Sequence, residues 1–177
     1  MGALAYDEKY TRDDYRHWEG DWELIDGNAY AMAPLPMFSH QNLVVKISRV
    51  MDEALDGCDR CMVAIEMDWD VSEDTVLKPD VMVVCDQVGE RVVKAPLIVF
   101  EVISKSSVKR DEILKFELYK DEGVKYYALV YPDMKKAKLY LLKDDSYQKV
   151  GDFINEQYEF KLEACNLGFD FSRIWRK

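Results

Sequence analysis

The sequence predicts a mixed α/β fold, a central sheet with helices packed on it, and three observations carry that expectation. The segment LIVFEVIS, residues 97–104, is apolar almost throughout, as a strand buried on both faces must be. Leu43, Val44, Ile47, Val50, Met51 and Leu55 recur at helical spacing. The elements then follow one another as helix, strands, helix, three strands, helix, strands. The 177 residues are expected to form one domain, 1–177, long enough to bury a core of its own.

Residues 7–20 read as an amphipathic helix with Tyr10, Tyr15 and Trp18 as anchors. WELIDGNAYAMA holds two short strands around Asp26-Gly27-Asn28, a hairpin-turn signal. The next helix starts after Pro36, near Ser39, and Gly57 suits its C-terminal cap. CMVAIEMDWDVS reads as one strand from Cys61 to about Val71, and a loop leads from it to KPDVMVVCD, a strand introduced by Pro79. LIVFEVIS follows. SVKRDEILKFELYKDEG is helical, with Leu114, Leu118 and Tyr119 on one face and Gly123 past its end. VKYYALVYPD is a further strand, KAKLYLLKDDSYQKV a hairpin through Asp144-Asp145-Ser146, and the tail to Trp175 adds a short strand.

The composition, 49% hydrophobic and 33% charged, is that of an ordinary soluble protein. No apolar run approaches the ~18 residues of a membrane span, and the N-terminus lacks the basic-then-apolar order of a secretory signal, so a cytoplasmic chain without membrane attachment is expected. Four cysteines fit that compartment. Cys58 and Cys61 form a C-x-x-C, but zinc would need two more ligands and the chain has only His17 and His40 as imidazoles. Reduced thiols, with Cys61 and Cys85 in or beside strands, are therefore expected. A net charge of −10 argues against a chain coated for non-specific nucleic-acid binding, though not against a local basic strip.

The chemistry starts from Glu101, a carboxylate inside the most apolar strand. Left alone in a dry interior it would cost several kcal/mol, so it needs a partner. Asp80, 21 residues earlier, is a second acid flanked by an apolar strand. If the two strands are neighbours their carboxylates converge, which makes sense with a cation between them or a shared proton. A hard ion such as Mg²⁺, or Mn²⁺, takes one or two carboxylates and leaves room for water and phosphate oxygens. SKSSVKR, residues 104–110, brings Lys105, Lys109 and Arg110 with three hydroxyls to a helix start, where backbone amides already favour anions. These cations are phosphate-contact candidates, beside the plainer reading of an N-cap by Ser106 or Ser107 with solvated lysines.

Pro79-Asp80 on one strand and Glu101 on the next resemble the restriction-endonuclease-like superfamily, whose signature is PD…(D/E)xK. More narrowly, WELIDGNAYAM, SHQ at 39–41, KPDVMVV, IVFEVIS and KRDEILKFELYKDEGVKYYALVYPD are similar, in that order, to a bacterial family described as putative restriction endonucleases. The resemblance implies a central mixed β-sheet flanked by α-helices and a Mg²⁺-dependent endonuclease that hydrolyses phosphodiester bonds in nucleic acid, DNA above all. It implies Asp80 and Glu101 as catalytic metal ligands. The superfamily's lysine position is Ile103 here, and the resemblance points to Lys115 on the following helix, with Lys105 and Lys109 as runners-up, as the cation that orients or deprotonates the attacking water or offsets charge building on the phosphate. Glu66, Glu23, His40, Asp111 and Ser104 are supporting candidates: Asp111 to fix Lys115, Glu66 and Glu23 as further ligands or outer contacts, His40 and Ser104 as matches to family positions. Two alternatives stand beside this reading. One is a catalytically weak or inactive nucleic-acid- or protein-binding module, a homodimer whose partner completes the surface; the other is a hydrolase of smaller phosphorylated substrates. Glu101 and Lys115 as a bare structural ion pair also stays open.

Overall fold

The computed structural model describes residues 8–32 and 37–176. In chain order these form α1 (Arg12–Tyr15), β1 (Trp22–Ile25), β2 (Asn28–Ala31), α2 (Phe38–Ala54), β3 (Cys61–Ile65), β4 (Trp69–Asp70), β5 (Val76–Leu77), β6 (Val81–Cys85) and β7 (Ile98–Val102). A π-helical turn (Arg110–Leu114) runs into α3 (Lys115–Asp121), followed by β8 (Tyr126–Tyr131), β9 (Lys136–Lys143), β10 (Ser146–Phe153), β11 (Gln157–Lys161), β12 (Asn166–Asp170) and a 3₁₀ turn (Phe171–Ile174). The mixed α/β expectation holds.

The central sheet has six strands in the order β10-β9-β8-β7-β6-β3. Only β7 and β8 run parallel, and the π-turn and α3 supply the crossover that a parallel pair requires. Strand alternation gives the sheet two different faces. Val81, Val83, Ile98, Phe100 and Val102 pack against α2 and the aromatic side chains Phe153, Phe160, Phe169 and Phe171. Burying each such side chain contributes about 1.5–3 kcal/mol. Met82, Val84 and Val99 face the other way, toward Trp69, Tyr119, Tyr127 and Ile25. That second face is roofed by α3 and by a small sheet, β2-β1-β5-β4.

Several elements differ from expectation. The helix over 7–20 shrinks to the single turn α1: Thr11 and Asp14 close a capping box at its start, and Gly20, at φ +89°, lies beyond its end. Asp7 and Pro36 lie outside the described residues. The anchors do meet: Tyr10 and Tyr15 each pack edge-to-face on Trp18, centroids 5.2 and 5.4 Å apart. The strand expected from Cys61 to Val71 breaks at Glu66, whose φ of +47° turns the chain out of the six-stranded sheet into β4. The turns at Asp26-Gly27 and Asp144-Asp145 carry the paired positive φ values of tight hairpins, as their residue types predict. The tail forms a two-stranded ribbon, β11–β12, rather than one strand. The thiols are not free: Cys58 is joined to Cys165 and Cys61 to Cys85, because each pair is brought face to face by elements far apart in sequence. Among the described residues no helix is long and apolar enough to cross a membrane.

Candidate active site

Strands β6 and β7 are antiparallel with Val81 opposite Phe100. One residue further, the same register sets Asp80 opposite Glu101, so the two acids do come from neighbouring strands. Asp80 Oδ2 accepts a 2.7 Å hydrogen bond from the Val102 amide, which fixes the carboxylate at the strand end. Glu101 is enclosed, 2% exposed, in the middle of the sheet.

The chain between β7 and α3 delivers the cation. Ser104 and Ser107 cap one another reciprocally, amide to hydroxyl at 3.1 and 3.2 Å, and start the helix. The π-turn then adds a residue to the turn before Lys115, a rare local geometry that recurs at functional sites. Lys115 emerges on the sheet side, 1% exposed. Its Nζ lies 2.9 Å from Glu101 Oε1, 2.7 Å from Glu23 Oε1 and 3.8 Å from Asp111 Oδ1. Glu23 reaches in from β1 and also accepts from the Lys78 amide at 2.9 Å. The Tyr119 hydroxyl donates to Glu101 Oε1 at 2.6 Å.

A second group sits at the rim. His40, near the start of α2, places Nε2 3.2 Å from Asp80 Oδ2. Glu66, at the break after β3, accepts from Gln41 at 2.8 Å. Donor atoms of His40, Glu66 and Asp80 lie within 4.8 Å of one another, a spacing from which one ion could be held. An adjoining cleft of about 310 Å³, lined by Glu66, Met67, Asp68, Lys78, Glu90 and Arg91, meets this group only through Glu66.

Three buried carboxylates, Glu23, Glu101 and Asp111, stand around one buried ammonium, and the buried Asp80 lies beside Glu101 at the end of the neighbouring strand. The imbalance shows in the titrating groups. Burial pushes the Glu101 carboxyl well above the usual range; Lys115 pulls it down, and Asp80, Asp111 and Glu23 push it up again. Burial likewise raises Asp111 against the pull of Lys115. Burial disfavours the charge on Lys115, but Glu101, Glu23 and Asp111 outweigh it and hold the ammonium protonated above the ordinary lysine value. The hydrogen bond to Asp80 raises His40 against its partial burial. Glu101 thus moves up chiefly because it is buried and Lys115 because its carboxylates outweigh burial, and three carboxylates on one ammonium leave negative charge that a further cation would offset.

The sequence-derived candidates separate into three groups. Asp80, Glu101, Lys115, Glu23 and Asp111 come together in one buried network, and Asp111 does stand beside Lys115. His40 and Glu66 flank Asp80. Ser104 caps the turn, bonding Ser106 and Ser107 rather than entering the site. Lys105 and Lys109 are exposed on the helix start, whereas Arg110 turns inward, its Nε 3.5 Å from Glu23 Oε2. Ile103, where the superfamily lysine would stand, packs in the apolar cluster under α3. Tyr119 was expected only as a packing residue. Its place four residues after Lys115, one helical turn on, is the sequence signal that it would share the site.

A family model, Uma2, described as putative restriction endonuclease, matches residues 12–168. No curated protein matches the chain. Among solved structures, the crystal structure of a putative nuclease belonging to DUF820 from Anabaena variabilis ATCC 29413 superposes with a TM-score of 0.74 at 14% identity. The match spans 93% of this chain and 97% of that one, and it shows a shared, nuclease-like fold.

Proposed function

The chain belongs to the Uma2 putative restriction endonuclease family, and from that premise we propose that it is a Mg²⁺- or Mn²⁺-dependent endonuclease acting on DNA. The observation that carries the reading is the register that sets Asp80 opposite Glu101, with the Lys115 ammonium 2.9 Å from Glu101. The residues fit a divalent ion. Three carboxylates, Glu23, Glu101 and Asp111, face one lysine, and among the described residues no hydrogen bond reaches Asp80 Oδ1 or Glu101 Oε2. Asp80 and Glu101 would hold the ion, with Glu66 and His40 at its open side. Bound there, it supplies polarisation of the scissile phosphate and a lowered pKa for water.

The chain's own residues supply the rest. Water attacks phosphorus, one P–O ester bond breaks, and a phosphomonoester and an alcohol leave. Lys115, held protonated by its three carboxylates, does not take the water's proton. It acts instead as a fixed buried positive charge: its ammonium donates to Glu23 and Glu101, with Asp111 at 3.8 Å, and in this reading it orients Glu101 and offsets the charge that builds at the phosphate. Asp111 and Glu23 orient Lys115, and Tyr119 orients Glu101. Lys105 and Lys109, exposed at the helix start, meet flanking phosphates. In this reading residues 1–177 act as one domain in the cytoplasm, and a second copy of the chain completes the substrate surface.

A second reading, a nuclease-fold binding module with little catalysis, is favoured by the net charge of −10 and by the internal partners that Glu101 Oε1 and Lys115 already have. Isothermal titration with Mg²⁺ and Mn²⁺ tests the proposal: one binding event is expected, lost in Asp80→Ala. Absence of binding in the folded wild-type chain, or binding unchanged by Asp80→Ala, contradicts the site.

A further inference from the structure

At the far end of β6 from Asp80, all four cysteines of the chain converge. We propose that this cluster is a structural zinc site, in which the thiolates of Cys58, Cys61, Cys85 and Cys165 together hold one Zn²⁺ when the chain is reduced.

Each sulfur is presented by backbone that does not depend on sulfur chemistry. Cys58 and Cys61 flank a tight turn just past α2: the Cys58 amide donates to Leu55 O at 2.7 Å and the Cys61 amide to Cys58 O at 3.3 Å. Cys85 is directly opposite Cys61 in the β3–β6 ladder. Cys165 lies in the turn between β11 and β12, where the Leu162 amide donates to its carbonyl at 3.0 Å. Arg60, inside the C-x-x-C, forks onto Asp86, the residue after Cys85, at 2.9 and 2.7 Å and pins the turn to the end of β6. The four thiols therefore stay gathered when no bond joins them.

The donor set suits zinc. The sulfurs of Cys58, Cys61 and Cys165 lie within 4.8 Å of one another, and that of Cys85 is bonded to Cys61. Tetrahedral zinc, with Zn–S near 2.3 Å, holds its sulfurs roughly 3.7 Å apart, and a C-x-x-C turn completed by two distant cysteines is a usual source of four thiolates. Hard ions such as Mg²⁺ prefer oxygen and would not compete for the cluster. Cys85 stands at the opposite end of β6 from Asp80, five steps along the strand and roughly 17 Å of extended chain, so the two sites are distinct. The elements tied together are the end of α2, the β3–β6 pair and the β11–β12 ribbon, which is the role of a structural ion. The chemistry balances: a dithiol reductant gives two electrons and two protons to each of the two disulfides, yielding four thiols. Zn²⁺ then replaces up to four protons.

The test uses the full chain, produced in zinc-supplemented medium and purified with a dithiol reductant and without chelator. Elemental analysis is expected to give about one Zn²⁺ per chain, and Asp80→Ala to retain it. Co²⁺ added in place of zinc should show sulfur-to-cobalt charge transfer and the strong visible bands of tetrahedral cobalt. Cys85→Ser and Cys165→Ser should each weaken Co²⁺ binding by about 10-fold or more. If a serine variant fails to fold, the wild-type titration still decides. Reduced, folded wild type that takes up neither metal, or binds cobalt without sulfur bands, overturns the proposal.

Discussion

The inner and outer halves of the carboxylate site meet where β6 and β7 pair, at Asp80 and Glu101, and behave differently. In the inner half, Glu23, Glu101, Asp111, Lys115 and Tyr119 are sealed between the central sheet and its roof, each held by partners from this chain. In the outer half, Asp80 meets a His40 side chain that is 19% exposed and a Glu66 that is exposed, with donor atoms left uncommitted. The two halves divide the labour. The inner half fixes a cation and a carboxylate in place, and the outer half is where an ion and a phosphate arrive.

The largest expected effect falls on the inner half. Lys115→Met leaves three carboxylates facing one another without their cation, and chemical denaturation should show a loss of about 3–5 kcal/mol. Adding Glu101→Gln to that variant should restore part of the loss, since one of the stranded charges is removed. A loss under ~1 kcal/mol in the single variant would mean that the inner network does not need its lysine, and the contrast would collapse.

The outer half should respond in the opposite way. His40→Ala and Glu66→Gln remove groups at the rim, so stability is expected to stay within about 1 kcal/mol of wild type. Divalent-ion affinity, followed by calorimetry, should fall about 10-fold. A large stability loss without any change in ion binding would assign these residues to structure instead.

The smallest effect lies outside both halves. Lys105→Ala with Lys109→Ala should leave denaturation unchanged and weaken DNA binding across all sequences. It should reduce the slope of log affinity against log salt by about two. An unchanged slope would remove the helix start from the substrate path.

Much of this was legible in the sequence, for reasons of range. The apolar spacing of Leu43 to Met51 depends only on neighbours, and α2 is there. Glu101 in a hydrocarbon strand demanded a partner, and Asp80, at the head of another apolar strand 21 residues earlier, was the candidate; the register that sets the two opposite each other comes from the folded sheet. Lys115 was reachable through the family resemblance, helped by its place on the helix face packed on the sheet. What could not be read depended on distant or unusual backbone. The two-residue strands β4 and β5 have no pattern of their own. The turn at Glu66 rests on a positive φ in a residue that seldom adopts one. The Glu23–Lys115 contact and the approach of Cys165 to Cys58, 107 residues away, join distant parts of the chain, and Cys85 reaches Cys61 only through the β3–β6 register. Only the folded sheet brings those residues together.

The most direct test of the account is a cleavage assay on DNA and RNA substrates with Mg²⁺ or Mn²⁺, run beside Glu101→Gln. The account predicts cleavage of DNA by the wild-type chain, abolished by chelator and by Glu101→Gln while the variant stays folded. Cleavage that survives Glu101→Gln, or a folded wild-type chain that cuts none of these substrates with either ion, would contradict it.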